Sequence, residues 1–165
     1  MIVNFVDHKK YYYDTFQKEL KISYMARKDL SGEILHSIFL SKNSCIQNYE
    51  WVHLKDLDEE KYSKHILESR IFLATSPQEG MPTSVLEAMA SGCIVLGFSG
   101  VGGNDYMIGK GENQNCFMIE NGNFPLLGKK LEEMIHKLSK NENRFDPIIK
   151  NAVNTAQQFQ DYENE

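Results

Sequence analysis

Between Arg70 and Phe98 the chain reads RIFLATSPQEGMPTSVLEAMASGCIVLGF. The two apolar ends of this stretch, Arg70–Thr75 and Cys93–Phe98, are rich in strand formers and typical of buried parallel strands. Turn residues predict a loop at Ser76–Gly80. A helix is predicted from Pro82 to Ser91, because proline suits the first turn of a helix and a glycine stands just past its end. Two strands joined through a helix indicate an α/β fold.

The rest of the chain continues the alternation of strands and helices. The 165 residues are enough for one domain with a full core. We therefore predict a single Rossmann-like α/β domain, residues 20–165, with a parallel sheet and helices on both faces, preceded by a flanking extension at residues 1–19. The other predicted helices are Leu30–Leu40, Asp58–Ser69, Phe124–Ser139 and Asp146–Tyr162, the last capped by Asp146, and the other strands are Glu50–Leu54 and Asn115–Glu120.

Two glutamates, Glu79 and Glu87, stand in the quoted stretch with seven residues between them. Glu79 belongs to a loop at the carboxyl end of a strand, the edge of an open α/β sheet where ligands usually bind. Helical periodicity places Glu87 with Thr83, Ser84 and Ser91, opposite the apolar face formed by Val85, Leu86, Met89 and Ala90. Both carboxylates can therefore line one crevice and accept hydrogen bonds from the hydroxyls of a sugar or a ribose.

A phosphate at the same edge of the sheet needs hydrogen-bond donors and a positive field. The N-terminus of the predicted helix, near Pro82 to Ser84, supplies both through N–H groups that lack intrahelical partners. The glycine-rich loop Ser99–Asp105 allows the backbone to approach a ligand closely. A single helix glutamate or a single glycine-rich turn is usually an ordinary surface feature, but the combination indicates a site for a nucleotide sugar.

Residues 71–106 resemble the donor-binding segment of the retaining GT-B glycosyltransferases of group 1. That family carries two glutamates with seven residues between them, within a strand-loop-helix-strand segment. The positions of this chain that match the family pattern are Ser76, Glu79, Gly80, Pro82, Leu86, Glu87, Ala88, Met89, Ala90, Gly92 and Val95. A weaker resemblance at Lys21–Lys28 is to the first strand of the family's C-terminal domain and the basic turn after it.

The resemblance implies a role for each candidate residue. Glu79 would contact the hydroxyls of the donated sugar, and Glu87 would bind the ribose hydroxyls of the nucleotide. Arg27 or the adjacent Lys28 would stabilise the charge of the diphosphate, because arginine matches paired phosphate oxygens; many members place a further lysine where this chain has Gly32. Backbone groups that would approach the sugar and the diphosphate are those of Gly80, Met81, Thr83, Ser84, Gly102 and Gly103. Transfer would retain the anomeric configuration without a metal or other cofactor.

The resemblance also implies that this chain corresponds to half of an enzyme. GT-B enzymes have two Rossmann-like domains, and the donor binds mainly to the C-terminal one, while the N-terminal one supplies the acceptor site. Three hypotheses follow. The chain is the donor-binding domain of an enzyme that makes a surface polysaccharide or glycolipid, one subunit of a split two-chain glycosyltransferase, or a non-catalytic module that binds a nucleotide or a partner.

Composition excludes several other classes of protein. The net charge of −5 and the lack of a basic stripe argue against a nucleic-acid partner. The apolar runs have the length of strands, which predicts no transmembrane segment, and no signal peptide is expected. An odd number of cysteines, Cys45, Cys93 and Cys116, fits a reducing cytoplasm. A partner domain could add peripheral attachment to the inner face of a membrane.

Two motifs that suggest other chemistry have simpler explanations. The pair Asp56 and Asp58 has the spacing of a metal-binding motif, but it precedes a predicted helix, so we expect helix capping. The segment Gly97–Gly100 is similar to a hydrolase nucleophile elbow, which needs a glycine where this chain has Val101. The five histidines show no metal-binding spacing. We therefore predict no metal site.

Overall fold

The computed structural model describes residues 6–15, 18–25, 33–37 and 48–159. Residues 33–37 are helical. The strands are β1 (Glu19–Tyr24), β2 (Glu50–His53), β3 (Ser69–Ala74), β4 (Ile94–Phe98) and β5 (Phe117–Ile119). The helices are α1 (Glu59–Glu68), α2 (Thr83–Ala90), α3 (Phe124–Lys140) and α4 (Asp146–Gln157), with a 3₁₀ turn at Gly103–Asp105.

The strands form one parallel sheet in the order β2-β1-β3-β4-β5. Strand β4, which lies between β3 and β5, is buried along its whole length, as expected when both faces of a parallel sheet are covered. One core includes Ile66 of α1, Met89 of α2 and Ala152 of α4, and the other includes Leu131 of α3. The predicted α/β fold, with helices on both faces, is confirmed.

Asp58 caps helix α1, and its carboxylate accepts a hydrogen bond of 2.8 Å from the backbone N–H of Lys61. Two further acidic residues, Glu59 and Glu60, lie in the first turn, where their negative charges interact favourably with the positive end of the helix dipole. Helix capping therefore explains Asp58, as predicted. No cluster of residues able to hold a metal ion occurs in the part of the chain that the structure describes.

The start of helix α4 differs from the prediction by one residue. Phe145, not Asp146, occupies the cap position, and Asp146 lies in the first turn. Phe145 is buried, and its ring packs edge-on against Phe117 with 5.1 Å between the ring centroids. The predicted cap at Asp146 is therefore wrong, because the cap position holds a buried aromatic ring and no side chain caps the helix. The predicted end at Tyr162 lies outside the described residues.

Residues 6–15 of the predicted flanking extension pack against the domain. Val6 and Tyr11 are buried in the core. The Val6 N–H donates a hydrogen bond of 2.9 Å to the carbonyl of Phe159, just beyond α4. The ring of Tyr13 lies directly over Gly92, where a Cβ atom would stand 2.1 Å from it. The described part of the extension thus packs against the residues that follow α2 and α4.

The described ranges contain no helix long and apolar enough to cross a membrane. Cys93 and Cys116 are buried free thiols, and burial raises the pKa of Cys116 to about 12. The prediction that Cys93 belongs to the core is confirmed. Cys45 lies outside the described residues.

Candidate functional site

Two loops meet at the edge of the sheet where the strands end. The loop after β3 leads from Thr75 into α2, and the loop after β4 begins at Ser99. The N–H of Val101 in the second loop donates a hydrogen bond of 2.8 Å to the carbonyl of Glu79 in the first. The two loops are therefore joined through their backbones.

Two glycines allow this close approach. Gly97 pairs with Ala74 at the ends of β4 and β3, and it has a φ of 146°, which L side chains rarely adopt. A Cβ atom on Gly97 would stand 2.1 Å from the carbonyl oxygen of Ala74. A Cβ atom on Gly102 would stand 1.7 Å from the carbonyl oxygen of Gly80. Both positions therefore require glycine for the observed contact between the strands and between the loops.

Glu79 lines a narrow crevice between the end of β3, the loop that follows it and the first turn of α2. The polar residues that line it include Thr75, Ser76, Glu79 and Ser84, and Met25, just after β1, adds an apolar wall. The Thr75 hydroxyl is buried and has no hydrogen-bond partner among the described residues. A polar ligand could therefore form a hydrogen bond with this hydroxyl. The sequence placed Thr75 at the end of a predicted strand, and that position was the signal by which it could have been identified.

The N-terminus of α2 opens beside the same crevice. The helix begins at Thr83, with Pro82 in the cap position rather than in the first turn as predicted. Its first turn contains no acidic residue, so no side chain of that turn compensates the positive end of the helix dipole. Gly92 follows the helix with a φ of 73°, the left-handed conformation typical of a C-terminal stop. The two ends of α2 thus follow the predicted pattern closely.

Glu87 lies one turn further along α2 and does not line the crevice. Its Oε2 atom accepts a hydrogen bond of 2.7 Å from the hydroxyl of Tyr62 on α1. The helix positions Glu87 and Ser84 on adjoining turns, so one extended ligand could reach both. Glu79 therefore lines the crevice and Glu87 does not, which differs from the expectation that both carboxylates line it.

Arg27 and Lys28 lie outside the described residues. Met25, two positions before Arg27, lines the crevice. The proposed contact of these two cations with a diphosphate therefore stays a prediction.

Three residues that the sequence did not single out brace the site. The Tyr106 hydroxyl donates a hydrogen bond of 2.9 Å to the carbonyl of Pro82. Burial raises the pKa of Tyr106 above its usual range, and the charge of Glu79 adds to the effect, so this donor stays protonated. Asn121 forms two bonds with Gly100, one to its N–H at 3.2 Å and one to its carbonyl at 3.0 Å. Tyr62 is the third. Only Asn121, in a turn after a predicted strand, carried a sequence signal.

The sequence model of the family described as glycosyl transferases group 1 matches residues 45–153. A relative from Actinobacillus pleuropneumoniae serotype 7 (strain AP76), an alpha-1,6-glucosyltransferase, is 35% identical over 82 residues, which are 49% of this chain and 25% of that protein. The chain thus spans about a quarter of the length of this relative.

Solved structures share the fold. The C-terminal domain of a glycosyl transferase group 1 family protein (LpcC) from Francisella tularensis is similar with a TM-score of 0.71 and 15% identity, over 97% of this chain and all of that one. The pneumococcal O-GlcNAc transferase GtfA, in complex with UDP and GlcNAc, is similar with a TM-score of 0.57 and 16% identity, over 87% of this chain and 33% of that one. The family model, whose matched segment covers most of the chain and includes both loops and α2, shows that the chain belongs to the group 1 glycosyl transferases.

Proposed function

We propose that this chain is the donor-binding domain of a retaining glycosyltransferase, which holds a nucleotide-diphosphate sugar for hexosyl transfer in the synthesis of a surface polysaccharide or glycolipid. The observation that carries the proposal is the backbone contact between the loops of Glu79 and Val101, beside the N-terminus of α2. This arrangement offers carboxylates for hydroxyls and N–H groups for phosphates at one edge of the sheet. Membership of the group 1 family supports it.

Each candidate residue has a distinct role in the proposal. Glu79 accepts hydrogen bonds from the sugar, and Glu87 accepts them from the ribose. Arg27 and Lys28 stabilise the negative charge that develops on the departing diphosphate, a kind of electrostatic stabilisation that often dominates catalysis. The backbone of Gly80, Met81, Thr83, Ser84, Gly102 and Gly103 surrounds the sugar and the diphosphate. No metal or other cofactor is part of the proposal, since the cations and the helix N-terminus supply positive charge.

A second domain completes the proposed enzyme. The chain corresponds to about a quarter of the glucosyltransferase and a third of GtfA, which leaves room for an acceptor domain in each. For this protein the acceptor domain is either part of a longer chain or a separate subunit, which could also attach the enzyme to the cytoplasmic face of a membrane. Co-purification from the source cell distinguishes the two arrangements, because only a separate subunit would be recovered as a second polypeptide.

Replacing Glu87 with alanine is expected to weaken nucleotide binding by about 1–3 kcal/mol, the range for hydrogen bonds to a charged group. The partly exposed position of Glu87 should leave the fold intact. Titration calorimetry with UDP- and GDP-sugars measures the effect. Glu132→Ala is the matched control, because Glu132 lies on α3, on the other face of the sheet. If the wild type and Glu87→Ala bind the nucleotide sugar with equal affinity, Glu87 does not contact the ribose.

The Glu79→Ala variant tests whether the chain recognises the sugar itself. We expect the wild-type protein to bind a nucleotide sugar more tightly than the nucleotide diphosphate alone. In Glu79→Ala the ratio of these two affinities should fall about tenfold, while the affinity for the nucleotide diphosphate is unchanged. Parallel titrations with UDP and a UDP-sugar, or with GDP and a GDP-sugar, give both values. If the wild type shows no sugar preference and Glu79→Ala changes nothing, the chain is better described as a nucleotide-binding module without a transfer function.

A further inference from the structure

Tyr62 connects helix α1 to the carboxylate of Glu87. Its hydroxyl donates a hydrogen bond of 2.7 Å to Oε2 of Glu87, across the boundary between α1 and α2. The Tyr62 ring is half-buried, and the ring of Tyr11 packs edge-on against it, with 6.5 Å between the ring centroids and 85° between their planes. Tyr11 itself is buried, with 5% of its surface exposed. The hydroxyl that contacts Glu87 is thus carried by a ring whose position is set by packing.

A glutamate on a partly exposed helix face has several rotamers of similar energy. A hydrogen bond between a neutral hydroxyl and an ionised carboxylate is shorter and stronger than one between neutral groups. The bond to Tyr62 therefore selects among the rotamers of Glu87 before any ligand arrives. A side chain that is already ordered loses less conformational entropy when it binds a ligand, which increases affinity.

The bond to Tyr62 does not exhaust the capacity of the carboxylate. A carboxylate has about four lone-pair positions on its two oxygens, and the bond from the Tyr62 hydroxyl occupies one of them. The ribose of a nucleotide presents neighbouring hydroxyls, which need acceptors at a defined spacing and direction. A carboxylate held by Tyr62 can meet that requirement without reorienting.

We propose that Tyr62 is a positioning residue that orients Glu87 toward the ribose hydroxyls, and that it thereby contributes to a preference for ribonucleotides over 2′-deoxyribonucleotides. This inference rests on the proposed function, since it assigns Glu87 to the ribose. Tyr11 supports the arrangement by holding the Tyr62 ring, which links residues of the N-terminal segment to the site. Tyr62 acts through Glu87 and is not itself proposed to contact the ligand.

The Tyr62→Phe variant removes only the hydroxyl and keeps the ring that packs against Tyr11. We expect its affinity for UDP or GDP, whichever the wild type binds, to fall about tenfold. Tyr12→Phe is the matched control, because it removes the same atom from a side chain that is 44% exposed in the N-terminal segment. The midpoints of thermal unfolding of both variants report whether the fold has changed.

Two further measurements separate positioning from a general structural effect. The ratio of the affinities for UDP and 2′-deoxy-UDP, or for GDP and 2′-deoxy-GDP, should fall in Tyr62→Phe. A general loss of structure would instead lower the affinities for both nucleotides by the same factor. In a Glu87→Ala background, which leaves Tyr62 no carboxylate to orient, Tyr62→Phe should have less than a twofold further effect.

The outcomes distinguish the two proposals. If the wild type binds nucleotide and Glu87→Gln weakens it, but Tyr62→Phe matches the wild type, the positioning role is overturned and the proposed function stands. Unchanged discrimination between ribo- and deoxynucleotides in Tyr62→Phe would also overturn the positioning role. If the wild type binds neither UDP nor GDP, nor their sugars, both proposals fail.

Discussion

Replacing Gly97 with alanine is expected to lower the free energy of unfolding by about 4 kcal/mol, at the upper end of the range for single substitutions. Gly97 lies in β4 beside Ala74 of β3, and its φ of 146° is strained for any residue with a Cβ atom. The new atom would stand 2.1 Å from the carbonyl oxygen of Ala74 and 2.9 Å from its nitrogen. Because both are backbone atoms of a buried strand, neither can move without breaking the pairing of β3 and β4.

Urea denaturation followed by circular dichroism measures this loss. Gly80→Ala is the matched control, because no described atom lies within 4 Å of a Cβ atom built there. We expect that control to be unchanged or more stable by less than about 1 kcal/mol, as for glycine replacements at permissive positions. A Gly97→Ala protein as stable as the wild type would show that the ends of β3 and β4 tolerate separation.

Replacing Gly102 with alanine is expected to reduce the affinity for a nucleotide sugar about 100-fold while leaving the domain folded. The φ of Gly102 is −105°, which alanine adopts readily, so the backbone itself is not strained. The added Cβ atom would instead stand 1.7 Å from the carbonyl oxygen of Gly80, and the two loops would have to separate by more than an ångström. Displacement of binding groups by about 1 Å is enough for an effect of this size.

Calorimetric titration with a UDP- or GDP-sugar tests the Gly102 prediction, with thermal unfolding as the check on the fold. Val101→Ala serves as the control within the same loop. The Val101 side chain is 73% exposed, and its backbone N–H, which bonds to the Glu79 carbonyl, is retained in the variant. We expect the control to bind within about threefold of the wild type, as for surface substitutions. Full affinity in Gly102→Ala would show that contact between the loops is not needed for binding.

Local patterns in the sequence predicted most of the fold because the elements that surround the site are close together in the chain. The apolar runs ending at Thr75 and Phe98 gave two adjacent parallel strands, and Gly92 marked the end of α2. Asp58 was predicted as a helix cap and has that role. In each case the deciding interaction lies within a few residues, where propensity and spacing are informative.

The contacts that were not predicted join residues far apart in the chain. The bond from Tyr62 to Glu87 depends on how α1 and α2 pack, and the bonds from Asn121 to Gly100 depend on how the loops after β5 and β4 meet. Phe145, in the cap position of α4, likewise packs against Phe117 of β5. Such contacts are set by tertiary packing, which periodicity along one element does not report. The assignments of Arg27 and Lys28 remain predictions.

The hydrogen bond between Val6 and Phe159 has a consequence for how the chain assembles. Strand β3, helix α2 and strand β4 follow one another directly, so the contact between their loops closes only short lengths of chain. The contact of Val6 with Phe159 closes nearly the whole described chain, and the entropy lost on closing a loop grows with its length. In the folding chain, the edge that carries Glu79 is therefore formed at lower entropic cost than the N-terminal segment that supports it.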